Sequence, residues 1–142
     1  MTDNRKALIE YRLTQAKDSI READVLQQSG MSPRSVMNRL YYSMFYAVLA
    51  LLQEKKLGTS KHSGVIALFD REYVKTGSFP KEMSRVLHRA FALRQKGDYM
   101  EETEVTVKDI EEIRPIAEEF VVEVVKHLIQ DVTPSHKIHS SA

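Results

Sequence analysis

The chain has 142 residues, with 21 lysines and arginines against 20 aspartates and glutamates and a formal net charge of +1. That length suits one domain with its own core, and so balanced a charge gives no reason to expect a nucleic-acid partner from electrostatics alone. The absence of cysteine excludes a disulfide scaffold, a thiolate zinc site and cysteine nucleophily.

Met1 to Gln28 is laced with charge and holds no apolar segment of the kind a signal peptide needs. Leu40 to Leu52, the most apolar run, is interrupted by serine and tyrosine and falls short of the roughly 20 apolar residues that span a bilayer. The expectation is a cytoplasmic protein with no membrane partner.

The first predicted helix covers residues 4–28, where Ile9, Leu13, Ala16, Ile20, Ala23 and Leu26 recur at helical spacing, and Gly30 ends it. Ser32 as N-cap and Pro33 in the first turn start the second. Its apolar arc of Val36, Met37, Leu40, Tyr41, Met44, Phe45, Val48, Leu51 and Leu52 is too broad for one neighbour, so this is the expected central helix of a bundle. The other side carries Arg39, Tyr42 and Tyr46, with Ser43 and Ala50 beside them, which reads either as a satisfied structural network or as a groove wall or subunit contact.

Gly58 and Thr59 are expected to close that helix, and Ser60 to cap a third running to about Lys75 along His62, Val65, Ile66, Phe69 and Tyr73. His62 has no second ligand at metal spacing on this stripe, so no metal site is expected. Gly77 and Pro80 break the chain before a fourth helix over residues 81–96. That helix concentrates Lys81, Arg85, Arg89, Arg94 and Lys96 against Glu82, while 101–123 is rich in glutamate. Arg94 projects near the line of Leu87 and needs an acceptor or an open end of the core. With the helix stopping at Gly97, Asp98 can fold back on Arg94 or Arg39, beside Tyr99.

Thr106 and Asp109 form a predicted capping box for a last helix whose stripe is Ile110, Ile113, Ala117, Phe120, Val121, Val124 and Leu128. Pro115 is expected to bend or split it near Arg114. The domain is expected over 4–130, and the aperiodic end, 131–142, with His136 and His139, reads as a flexible tail. The sum is an all-α, up-and-down bundle of four to five helices. Its five glycines are scattered singly, which excludes a glycine-rich phosphate loop.

Three stretches, NRLYYSMFYAVLALL, KHSGVIALFDREYVKTG and AFALRQKGDY, together resemble the HEPN family. They match its short branch, in which N-R-x-Y-Y-x-x-F-Y lies on the second helix, K-H opens the third and R-x-x-x-D-Y ends the fourth. The similarity spans about residues 5–130. It implies a helical bundle, a homodimer, and a toxin-antitoxin or defence role beside a small nucleotidyltransferase. It also implies nucleotide or RNA as ligand, with no cofactor. Nuclease branches carry an arginine, four to six intervening residues and then a histidine. Here the fifth position after Arg94 is Tyr99, preceded by Asp98, so that signature is absent.

The expected binding cluster is Arg39, Tyr42, Tyr46, His62, Arg94, Asp98 and Tyr99. Its candidates for catalysis are Arg94, His62, Asp98 and Tyr99. A dimeric module that binds a partner or nucleotide leads. A diverged metal-independent ribonuclease is the alternative, and a purely structural helical protein the third reading. Met31, Met37, Leu57 and Phe79 are the residues expected to build the dimer.

Overall fold

The computed structural model describes residues 3–99 and 104–132, the side chains of 96–99 and 130–132 excepted. The helices are α1 (Asp3–Gln28), α2 (Pro33–Glu54), α3 (His62–Phe69), α4 (Lys81–Tyr99) and α5 (Val107–Val132), with a π turn, Asp70–Val74, continuing α3. Among the described residues there is no strand.

α2 is the centre of the bundle. Twelve of its 22 residues are buried, and it packs against α1, α3, α4 and α5. Its start follows the sequence: Ser32 accepts the Ser35 amide at 3.2 Å and Pro33 takes the first turn, where no internal hydrogen bond is lost. Ser43 and Ala50, expected beside the polar patch, are fully buried instead. The small side chains admit close packing, and the Ser43 hydroxyl is satisfied by donating to the Leu40 carbonyl at 2.6 Å.

The first hairpin closes at Gly30, whose φ of +78° lets Met31 reach back to the Leu26 carbonyl and Gly30 to that of Gln27. The same pair of bonds ends α2, from Leu57 to Leu52 and from Lys56 to Gln53. There the left-handed position is held by Lys56 at φ +59°, so α2 ends ahead of the expected Gly58 and Thr59. α3 begins with Lys61 as its cap, without a side-chain bond, rather than with Ser60. It loses regular winding at Asp70, where Lys75 bonds back five residues to the Asp70 carbonyl at 2.8 Å. The Asp70 carboxylate meanwhile accepts from Ser84 and contacts His88, both at 2.7 Å, tying the π turn to α4.

α4 continues through Gly97 to Tyr99, past the expected stop. α5 opens with the anticipated box: Thr106 and Asp109 each bond the other's backbone amide, at 2.9 and 3.1 Å. Pro115 does not split α5. It and Glu111, the residue whose carbonyl loses a donor, are both exposed, so solvent can hydrate that carbonyl. Beside them Arg114 grips both oxygens of Asp24 on α1, at 3.0 and 2.7 Å, and also bonds Glu118, which holds the helix across the proline.

The surfaces expected to remain for a dimer are largely spent. Met37 and Phe79 lie inside the core and Leu57 is half-buried, leaving Met31 at 51% exposure. No helix among the described residues is long and apolar enough to cross a membrane.

Candidate functional site

The half-buried edge of α2 carries Asn38, Arg39, Tyr42 and Tyr46 on successive turns, and α3 and α4 bring His62 and Arg94 against it. The Arg94 guanidinium lies 5.3 Å from the ring centres of both Tyr41 and Tyr42. Its Nε donates to Asn38 Oδ1 at 3.0 Å and its Nη2 to the Tyr42 hydroxyl at 3.3 Å. Both acceptors are neutral. Among the described residues Arg94 has no carboxylate partner, so its described neighbours orient its charge without cancelling it.

His62 lies flat on Phe45, with ring centres 4.2 Å apart and 11° between planes, and its Nδ1 is 2.8 Å from the Tyr41 hydroxyl. Burial first, and then the nearby Arg94 charge, push the imidazole below its ordinary pKa, so it is neutral at physiological pH. Tyr41 itself is 0% exposed, and burial pushes its phenol well above the usual range although Arg94 pulls the other way. Tyr46 joins through its ring, 5.5 Å from that of Tyr42.

Arg39 is placed differently from Arg94. It stacks over Tyr42 at 5.3 Å but pairs with Glu22 on α1 at 2.7 Å, so its charge is answered within the chain. The side chains of Asp98 and Tyr99, and with them the expected pairing of Asp98 with Arg94 or Arg39, lie outside the described residues. His88, the histidine of α4, is exposed and bonded to Asp70.

Two members went unrecognised in the sequence. Asn38 stands one turn before Tyr42, and that i, i+4 spacing was the available signal. Tyr41 was placed in the core, where it is, but its hydroxyl reaches His62.

A polar cleft of 420 Å³ opens beside Arg94, lined by Ser32, Arg34, Ser35, Asn38 and Arg94. A larger depression, 770 Å³, is lined by Asp18, Arg21, Glu22, Val25, Leu26 and Arg39. Its charges are paired locally, Arg21 with Asp18 and Arg39 with Glu22, and it touches the aromatic cluster only through Arg39. The smaller cleft is therefore the better candidate ligand site, because among the described residues its lining has two arginines and no acidic side chain. Among the described residues no three His, Asp or Glu side chains are grouped to hold a metal ion.

The sequence profile of the HEPN domain matches residues 9–128. A Thermotoga maritima protein named as a UPF0332 protein is 38% identical over 92% of this chain and 97% of its own length. Two Methanocaldococcus jannaschii proteins described as candidate toxins are each 32% identical over 87% of this chain, covering 84% and 87% of their own lengths.

Proposed function

Because this chain belongs to the HEPN domain family, we propose that it is the toxin-type or defence-type component of a two-component pair, a homodimer that binds a nucleotide or RNA phosphate at the Arg94 cleft. In this reading a small nucleotidyltransferase is the paired partner. The observation that carries the ligand is Arg94 itself: a half-buried guanidinium held by Asn38 and Tyr42, neutral groups that aim it, beside a cleft of polar and basic side chains. A phosphate would supply the negative charge that the described neighbours of Arg94 do not carry. Tyr42 and Tyr46, both half-buried, offer ring faces next to it on which a base can stack.

A diverged metal-independent ribonuclease remains as a second reading, favoured by one observation. His62 is neutral and near enough to Arg94 to feel its charge, the pairing that general-base chemistry beside a phosphate would use.

Fluorescence anisotropy with a labelled single-stranded RNA tests the binding reading. Arg94→Ala should weaken binding by about tenfold to a hundredfold, the range for losing a charged hydrogen bond. Equal affinity in wild type and variant would remove the Arg94 site from the proposal. The same RNA incubated with chelator separates the two readings: it stays intact under the first, and is cut in an Arg94- and His62-dependent way under the second. Sedimentation that finds only 16.3 kDa particles at micromolar protein would refute the dimer.

A further inference from the structure

We infer that Tyr41 is a positioning residue that fixes His62 as the Nε2–H tautomer, so that this imidazole offers a ligand a hydrogen-bond donor rather than a lone pair. This deepens the nucleotide reading and rests on it only for the identity of the ligand.

The argument begins with the phenol. Tyr41 is fully buried, and a buried O–H needs an acceptor. Among the described residues its oxygen has one hydrogen-bond partner, Nδ1 of His62 at 2.8 Å. The raised phenol pKa keeps the hydrogen on Tyr41, so the O–H donates and Nδ1 accepts. A neutral imidazole has one N–H, which is then on Nε2. The opposite polarity would bury the phenol hydrogen with nothing to receive it. Stacking on Phe45 holds the ring in the orientation that this bond requires. Nε2 has no protein hydrogen-bond partner among the described residues, and His62 is only half-buried.

The rest of the cluster has the same polarity. Asn38 spends its amide oxygen on Arg94 Nε, which leaves its NH2 to donate. Tyr42 accepts from Arg94 Nη2, which leaves its O–H to donate. Arg94 has donors only. What remains for a ligand is a guanidinium, an amide NH2, a phenol O–H and an imidazole N–H. Such a set recognises an acceptor-rich oxyanion, a phosphate ester in this reading. In this tautomer His62 spends its one imidazole lone pair on Tyr41 and has none to take a ribose hydroxyl proton, which argues for binding without cleavage by His62.

The test is made on the full chain with 15N-labelled histidine, free of ligand, by long-range proton–nitrogen correlation near neutral pH. His62 is expected to show a protonated Nε2 and an unprotonated, hydrogen-bonded Nδ1. A protonated Nδ1 in neutral His62 would overturn the inference whatever the ligand does. In Tyr41→Phe both tautomers should appear; an unchanged tautomer in a folded Tyr41→Phe protein would also overturn it. If that variant does not fold, the wild-type spectrum decides alone.

RNA affinity supplies the second readout. Glutamine can place an amide N–H near the position of Nε2, so His62→Gln should stay within about threefold of wild type while His62→Ala loses about tenfold. Equal loss in both folded variants would overturn the donor role. The Nε2–H tautomer in a protein that binds neither RNA nor inorganic phosphate would support the positioning by Tyr41 and overturn the nucleotide reading.

Discussion

The two ends of α2 hold polar clusters of opposite design. Asn38 at one end and Glu54 at the other are separated by about 24 Å of helix, at about 1.5 Å per residue. At the far end the fully buried Tyr73 donates toward the Leu51 carbonyl and the Glu54 carboxylate, at 2.6 and 2.8 Å, and His127 of α5 reaches the same carboxylate at 3.3 Å. Lys55 caps this group, 4.6 Å above the Tyr73 ring. Acid, phenol, imidazole and ammonium answer one another there. At the Arg94 end the cation's partners among the described residues are neutral, and a cleft opens beside it. Aromatic and polar residues in both places thus differ in use: one cluster ties helices together, and the other, in the proposed reading, holds Arg94 for a phosphate.

The largest expected effect breaks that contrast from the closed side. Tyr73→Ala should lower the free energy of unfolding by about 3 to 5 kcal/mol, as for a buried aromatic ring, whereas Arg94→Ala should cost about 1.5 to 2.5 kcal/mol, because its charged hydrogen bonds are lost at a half-buried edge where water can replace them. Urea titration of both variants checks this, and equal losses would make the Arg94 cluster as structural as its counterpart. Removing the hydroxyl alone, in Tyr73→Phe, should cost about 1 kcal/mol and leave RNA affinity unchanged.

A smaller effect should appear with pH. His62 has its folded pKa below the ordinary histidine value, so between those two values the unfolded chain binds more protons than the folded one. Its stabilising contribution is complete above the unfolded value and declines as pH falls through that window to the folded value. Urea midpoints should therefore drop on mild acidification in wild type and less so in His62→Gln. Asp24, held below its usual range chiefly by its hydrogen bond to Arg114, loses its contribution only at more acidic pH, which leaves the histidine window clear of that clamp. An identical pH slope in the two proteins would show that His62 does not titrate as the buried, Arg94-facing group described here.

The smallest effect is opposite in sign and sits at the closed end. Lys56 occupies a left-handed backbone position at φ +59°, so Lys56→Gly should raise stability by up to about 1 kcal/mol in thermal or urea unfolding. A loss would mean that the lysine side chain contributes more than its backbone strain costs.

Helix positions were legible in the sequence because they are written in local chemistry. The Ser32-Pro33 start, the Gly30 stop and the Thr106-Asp109 box each need only neighbours within a turn or two, and the breadth of the α2 apolar arc announced a helix touched on several sides. The features that differed from expectation involve groups far apart in the chain or a choice between near-equal local options. α5 passes Pro115 with its freed carbonyl in solvent and with Arg114 gripping Asp24, 90 positions away in sequence. Met37 and Phe79, read as surface left over for a second copy, were taken up by the core of this one.

The site divides in the same way. Residue types and i, i+4 spacing put Arg39, Tyr42 and Tyr46 on one side of α2 and marked Arg94 as a charge in need of an acceptor. Only the packing of α1, α3 and α4 against α2 decided the partners. It gave Arg39 to Glu22, gave Arg94 to Asn38 and Tyr42, and set His62 against Tyr41. Sequence periodicity determines which face a side chain is on, whereas the partner of a hydrogen bond is settled within a few tenths of an ångström by how the helices seat together.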